Sequence, residues 1–179
     1  MSKKNILTRE SLELIEISDH FEDSDKAIRL FFDSIKNKKI NVNKYMYFTF
    51  SELNDVLNKR IVELEKTSSL TLLSLVESRF RTDYINRVTN KYKDNVSKDI
   101  RILYKQKGTR VSLEDDILEI WKINTSGSAH IISELKGIFK YRHWLAHGRY
   151  WNPKLGSNKY DYLSIYSLTF TIINHFKFK

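Results

Sequence analysis

A single proline, Pro153, and five glycines are all that punctuates 179 residues. Turn-rich β architectures need such residues at short intervals to reverse direction, whereas helices exclude proline from their interiors and are weakened by glycine. The expected fold is therefore all-α. The length suffices for one well-buried unit, and nothing in the chain demands two. With no cysteine present, disulfides and thiolate metal sites are excluded.

Hydrophobic spacing predicts where the helices lie. Residues 8 to 23 read as a first helix, N-capped by Thr8, with Leu12, Ile15, Ile17 and Phe21 as its apolar stripe. Ser24 or Asp25 opens a second helix carrying Ile28, Phe31, Phe32 and Ile35, and a polar connection covers 37–43. The aromatic patch Tyr45-Met46-Tyr47-Phe48 precedes Thr49-x-x-Glu52, a capping-box pattern that opens a long helix through Leu53, Val56, Leu57, Ile61 and Leu64. Thr67-Ser68-Ser69 can bend or briefly interrupt it before Leu72, Leu73, Val76, Phe80, Tyr84 and Val88 continue the pattern to about Lys93. A basic helix over 96–105 ends near Gly108, and Ser112 caps a short acidic helix over 113–122. From about Ala129 a further helix buries Ile131, Ile132, Leu135, Ile138, Phe139 and Leu145. The closing segment, 160–176, is β-branched and aromatic. Its Leu163, Tyr166, Phe170, Ile173 and Phe176 nevertheless step by three and four, which predicts a helix.

Net charge is +9, and its distribution is uneven. From Lys136 onward eight Lys/Arg face one acid, Asp161, and a second basic stretch runs from Arg87 to Arg110. Such fields attract polyanions, of which nucleic acid is the commonest in cytoplasm, although Lys-rich surfaces also serve solubility alone. The first twenty residues break every apolar run with charges, so they form neither a signal peptide nor a membrane span. A cytoplasmic protein without membrane partners is the expectation.

Tyr141 to Trp151, YRHWLAHGRYW, concentrates the chemistry. On a regular helix the five-residue step from Arg142 to His147 turns about 500°, leaving the side chains about 140° apart. A site using both must lie in a cleft between helices or subunits. Gly148 is placed to end the helix, putting His147 where unsatisfied carbonyls favour a protonated imidazole. Such a histidine is suited to proton transfer. Glu77 and Arg81, four apart, can form a solvated ion pair. His143 and His147 have the spacing of a zinc-binding pair, but Trp144 stands where a zinc protease has glutamate, and no third ligand is evident. Trp144, Tyr150 and Trp151 can stack on bases or serve as core.

At Arg142, His143, Trp144-Leu145-Ala146 and His147 the sequence resembles the HEPN superfamily. That family's signature is Arg, a polar residue, three variable residues and His. The following HGRYWNPKLG and YDYLSIYSL segments look like one prokaryotic branch, and the resemblance covers roughly 49–178. It implies a HEPN-like helical bundle over 45–179, while the hydrophobic spacing makes 1–44, which the resemblance matches poorly, an N-terminal helical extension packed on it. The resemblance further implies a metal-independent endoribonuclease, a toxin or antiphage effector that needs no cofactor. Arg142 and His147 would be catalytic, completed across the twofold of a homodimer, with His143, Glu77 and Arg81 supporting them. Lys140, Arg149, Tyr150, Trp151 and Lys154 would contact RNA, and an antitoxin or other defence protein is a further implied partner. Some members of the family keep the fold without cleavage, so a non-catalytic dimerisation or nucleic-acid-binding module stays open. Arg149 occupies the place where toxins paired with a nucleotidyltransferase antitoxin often carry tyrosine, which puts regulation through that tyrosine in doubt.

Overall fold

The computed structural model describes residues 12–153, 155 and 160–179, and Thr8 and Lys154 lie outside them. Six α-helices follow one another with no strand among the described residues: α1 (Leu14–Lys36), α2 (Phe50–Asn90), α3 (Asn95–Lys107), α4 (Leu118–Asn124), α5 (Ser128–Ala146) and α6 (Tyr162–His175). The all-α expectation is met, and no described helix is long and apolar enough to cross a membrane.

α1 is one helix where two were expected. Asp25, read as a candidate cap, instead accepts a hydrogen bond from Arg29 Nε at 2.7 Å, one turn further on. A carboxylate with an i+4 arginine stabilises a helix interior and leaves no reason for a break. α2 likewise runs unbroken through Thr67-Ser68-Ser69. The Thr67 hydroxyl bonds back to the carbonyls of Glu63 and Leu64, and Ser68 and Ser69 are buried. Small side chains there allow neighbouring helices close to the backbone of α2. At its start the capping box forms as the sequence predicts: Glu52 N–H donates to Thr49 Oγ1 and Thr49 N–H to Glu52 Oε2 at 2.7 Å.

Two apolar clusters divide the length of α2, which at 41 residues spans about 60 Å. α1 runs antiparallel along it, tied at one end by Arg79 to Glu13 at 2.8 Å. Near the hairpin tip Phe32, Tyr45 and Leu53 form a small core with Ile28, Ile35, Val42, Val56 and Leu57. The main core joins the second half of α2 to Ile17 of α1 and to α3, α4, α5 and α6. α1, the described helix of the extension expected over 1–44, packs along α2 and sends Ile17 into the main core.

Arg87 corrects the charge reading. Counted as part of a basic surface, it is only 2% exposed and is held by Asp83 (2.6 Å), Asp94 (2.7 Å), the Ser97 hydroxyl (2.8 Å) and the Lys177 carbonyl (2.8 Å). Its guanidinium also lies over the Trp121 ring, 4.8 Å from the centroid. Lys179 N–H donates to the other Asp83 oxygen at 2.7 Å, so the segment after α6 is knotted to α2 and α3.

α6 is helical, but its most buried face is rotated by one residue from the stripe the sequence indicated, of which Tyr166 and Ile173 are partly buried and Phe176, just past the helix, is buried. Tyr162, Ile165, Leu168, Thr169 and Ile172 point inward, whereas Leu163 and Phe170 are exposed. The segment is apolar nearly all round, so two stripes offset by one residue both satisfy helical spacing, and packing against α2 selects the phase. The acidic helix begins instead as a π-helical turn, Leu113–Ile117, capped by Ser112 Oγ accepting from Asp115 N–H, before α4 takes over.

Candidate active site

α5 presents the motif, and its seven expected or adjacent apolar positions explain how it is held. Ile131, Ile132, Leu135, Ile138, Phe139, Tyr141 and Leu145 are buried, which orients the remaining face toward solvent and toward α2. Gly137 permits this packing: a Cβ there would stand 3.1 Å from the Tyr160 hydroxyl. The helix ends at Ala146, with His147 as C-cap and Gly148 at φ +81°, a left-handed conformation that favours glycine. Arg149 N–H then reaches back to the Trp144 carbonyl at 3.2 Å, closing the helix end.

Arg142 turns toward α2. Its Nη2 meets Glu77 Oε2 at 2.6 Å, while Arg81 Nε donates to the other Glu77 oxygen at 2.7 Å. One carboxylate thus holds two guanidiniums, and the Arg142 Nε is buried with no hydrogen-bond partner among the described residues. These groups line a cleft of about 260 Å³ together with Ser112, Leu113, Glu114, Phe139 and His143. A second, more open cleft of about 480 Å³ shares Glu114, Phe139 and His143 with the first, and adds Lys140, Trp151, Asn152 and Pro153. Glu114, Phe139 and His143 form the boundary between the two.

His147 is exposed and is not among the residues lining either cleft. Its ring stands 4.2 Å, centroid to centroid, from that of His143, whose other side faces Trp151 at 5.7 Å. Arg142 and His147 therefore face different neighbours, as the helical angle requires. The two imidazoles nonetheless form a continuous strip from the outer surface to the cleft.

The remaining sequence candidates divide. Lys140 is exposed on the second cleft, and Tyr150 is exposed beside Trp151. Trp144 is structural: its indole N–H donates to the Trp151 carbonyl at 2.6 Å, fixing the loop after Gly148, and its ring stacks on Tyr141. Arg149 is engaged by Glu63 of α2 through two bonds of 2.6 and 2.8 Å. That pairing holds the Glu63 carboxyl below its ordinary range and pushes the Arg149 guanidinium up. The sequence marked Ser112 only as a helix cap and did not place Glu63, Ser112 or Glu114 at the site, because each reaches it through contacts distant in sequence. Among the described residues no group of three or more His, Asp and Glu is placed to hold a metal ion.

No family model, no curated protein and no solved structure matches the chain.

Proposed function

We propose that the chain is a metal-independent endoribonuclease of the HEPN type, acting as a homodimer in a toxin or antiphage role. The observation that carries this reading is the convergence of Arg142, Arg81 and His143 on one open polar cleft, with the His147 ring 4.2 Å from that of His143 at its edge. Cleavage by the RNA's own 2′-hydroxyl needs one group to take that proton, one to protonate the departing 5′-oxygen, and a cation for the negatively charged transition state. A guanidinium is permanently charged and planar, and Arg142 keeps N–H groups beyond the one given to Glu77. Glu77 fixes its orientation, with Arg81 as counterweight. His147, exposed at the helix end, is free to approach a ribose and to serve as base or acid. One imidazole cannot perform both proton steps at once, and a second copy facing it across a twofold supplies the other.

The test is incubation of purified protein with mixed cellular RNA in EDTA. Endonucleolytic products ending in a 2′,3′-cyclic phosphate and beginning with a free 5′-hydroxyl are expected, and a requirement for magnesium sinks the proposal. The second reading, a non-catalytic helical module that dimerises or binds nucleic acid, draws on the Arg142–Glu77 pair, which balances the charge of the arginine without any substrate. RNA binding with no cleavage by the wild-type protein selects it.

A further inference from the structure

The hairpin tip, far from α5, carries a surface that nothing in the proposed chemistry uses. From Ser34 to Ser51 there are four lysines and no Asp or Glu. Lys36, Lys38 and Lys39 line a groove of about 540 Å³ with Ile40, Asn41, Tyr45, Met46, Phe48 and Phe50. The flanking carboxylates do little to neutralise it: Glu52 is committed to the capping box, and the Asp33 carboxylate reaches Lys36 at 4.0 Å. Lys38 and Lys39 have no ion-pair partner among the described residues.

Beside these cations stand aromatic rings that folding leaves in solvent. Tyr47 is 90% exposed and Phe50 64%, with Phe48 also exposed. Their neighbour Tyr45 is buried, its ring braced edge-on by Phe48 at 5.4 Å and by Phe31 at 6.5 Å. Tyr45 therefore explains the local core, whereas Tyr47 and Phe50 contribute nothing to it. Exposing large rings to water costs solubility and is uncommon without a partner.

We propose that this tip binds a single-stranded polynucleotide, with bases stacked on Tyr47 and Phe50 and phosphates paired with Lys36, Lys38 and Lys39. Flat, solvent-open rings beside a row of cations suit an unpaired strand, since every base has a π face and every linkage a negative charge. The exposed amides of Asn41 and Asn43 add donors and acceptors at the same rim. A second copy of the chain is a poor occupant, because two such acid-free lysine clusters repel each other. The site is independent of whether Arg142 and His147 cleave. About 27 residues of α2 separate Phe50 from Glu77, a distance of about 40 Å.

The experiment uses the full chain and a fluorescein-labelled 2′-O-methyl oligouridylate of roughly a dozen nucleotides, which offers bases and phosphates but no cleavable 2′-hydroxyl. Fluorescence anisotropy at low salt is expected to show binding. Tyr47→Ala and Phe50→Ala should each weaken it by roughly tenfold, the scale of one stacked base. Both residues are exposed, so circular dichroism should show the variants folded. The pair Lys38→Asn/Lys39→Gln should reduce the salt dependence, log K against log salt, by about 1.4, because each lost phosphate contact on a single strand removes about 0.7. Asparagine suits position 38, whose φ is +54°. Binding unchanged in the Tyr47/Phe50 double variant overturns the proposal, as does the absence of any binding. A polyglutamate chain that competes as well as the oligonucleotide also overturns it, since charge alone would then explain the tip.

Discussion

Replacing Arg87 by methionine tests whether the buried knot is a structural keystone. Methionine keeps an unbranched chain of similar reach, so the cavity stays small and the lost charge dominates. Asp83, whose side chain is fully buried, then retains only the Lys179 N–H, and the Ser97 hydroxyl and Lys177 carbonyl each lose a donor. Removing one partner of a buried pair typically costs about 3–5 kcal/mol, because the remaining charge stays desolvated. For a domain of this size each kcal/mol moves Tm by about 2–4 °C, so a fall of about 6–20 °C is expected by calorimetry. The pH dependence carries a second signature. Burial already pushes the Asp83 carboxyl above its ordinary value, with the Arg87 bond opposing. The folded state thus binds the proton more tightly than the unfolded state, and this group's contribution to stability falls as pH rises above about 3.8, the unfolded value. Without Arg87 that decline should extend to higher pH. Asp94 acts in the opposite sense: burial raises its carboxyl, but the Ser97 bonds and Arg87 outweigh this and leave it lowered. Its contribution is present above the unfolded value and is lost as pH falls. In the Arg87→Met background, Asp83→Asn should recover a large share of the loss, since an amide oxygen still accepts from Lys179. A shift in urea midpoint equivalent to less than about 0.5 kcal/mol, the scale of a surface substitution, refutes the reasoning.

Removing the imidazole in His147→Ala should slow RNA cleavage by roughly 10²-fold or more, measured under single-turnover conditions. Arg142→Lys should rescue little of the loss in Arg142→Ala, because an ammonium cannot present a planar fork, while His143→Ala should be milder; equal activity in Arg142→Lys and wild type contradicts this assignment. Tyr84, whose hydroxyl donates to the Gly108 carbonyl at 2.8 Å, has its pKa pushed up to about 12 by burial. The unfolded chain loses this proton near 10, so stability should be lost between about 10 and 12, and Tyr84→Phe should flatten that limb in chemical denaturation at graded pH. Light scattering at micromolar concentration should report a dimer, and a strict monomer that still cleaves RNA removes the twofold from the mechanism.

What the sequence reveals depends on how local the cause is. The Thr49/Glu52 box and the buried face of α5 were legible because a few adjacent residues determine each. The phase of α6 was not, since Leu163 and Ile165 are equally apolar and only the surface of α2 distinguishes them. Arg87 was misassigned for a related reason: its side chain is basic in any composition count, and its burial depends on Asp83, Asp94 and the Lys177 carbonyl arriving together. At the site, the proximity of Arg142 to Glu77 was only one of two readings open for Glu77. The engagement of Arg149 by Glu63, 86 residues away, left no trace in the spacing of either residue.

α1 and α2 each cross from the small core to the large one without a break, and this gives the hairpin a rotational phase as well as a length. One residue inserted into α2 between Leu57 and Ser68 would turn the tip by about 100° relative to Arg142 and displace it by about 1.5 Å. It would also put α2 out of step with α1, setting Phe32 against the wrong turn. A seven-residue insertion made in both helices would nearly restore the azimuth, leaving about 20° of error and moving the tip outward by about 10 Å. Length changes in this arm are therefore tolerated in paired steps of two turns, and the angle between tip and cleft is inherited through the helical repeat rather than through any contact between them.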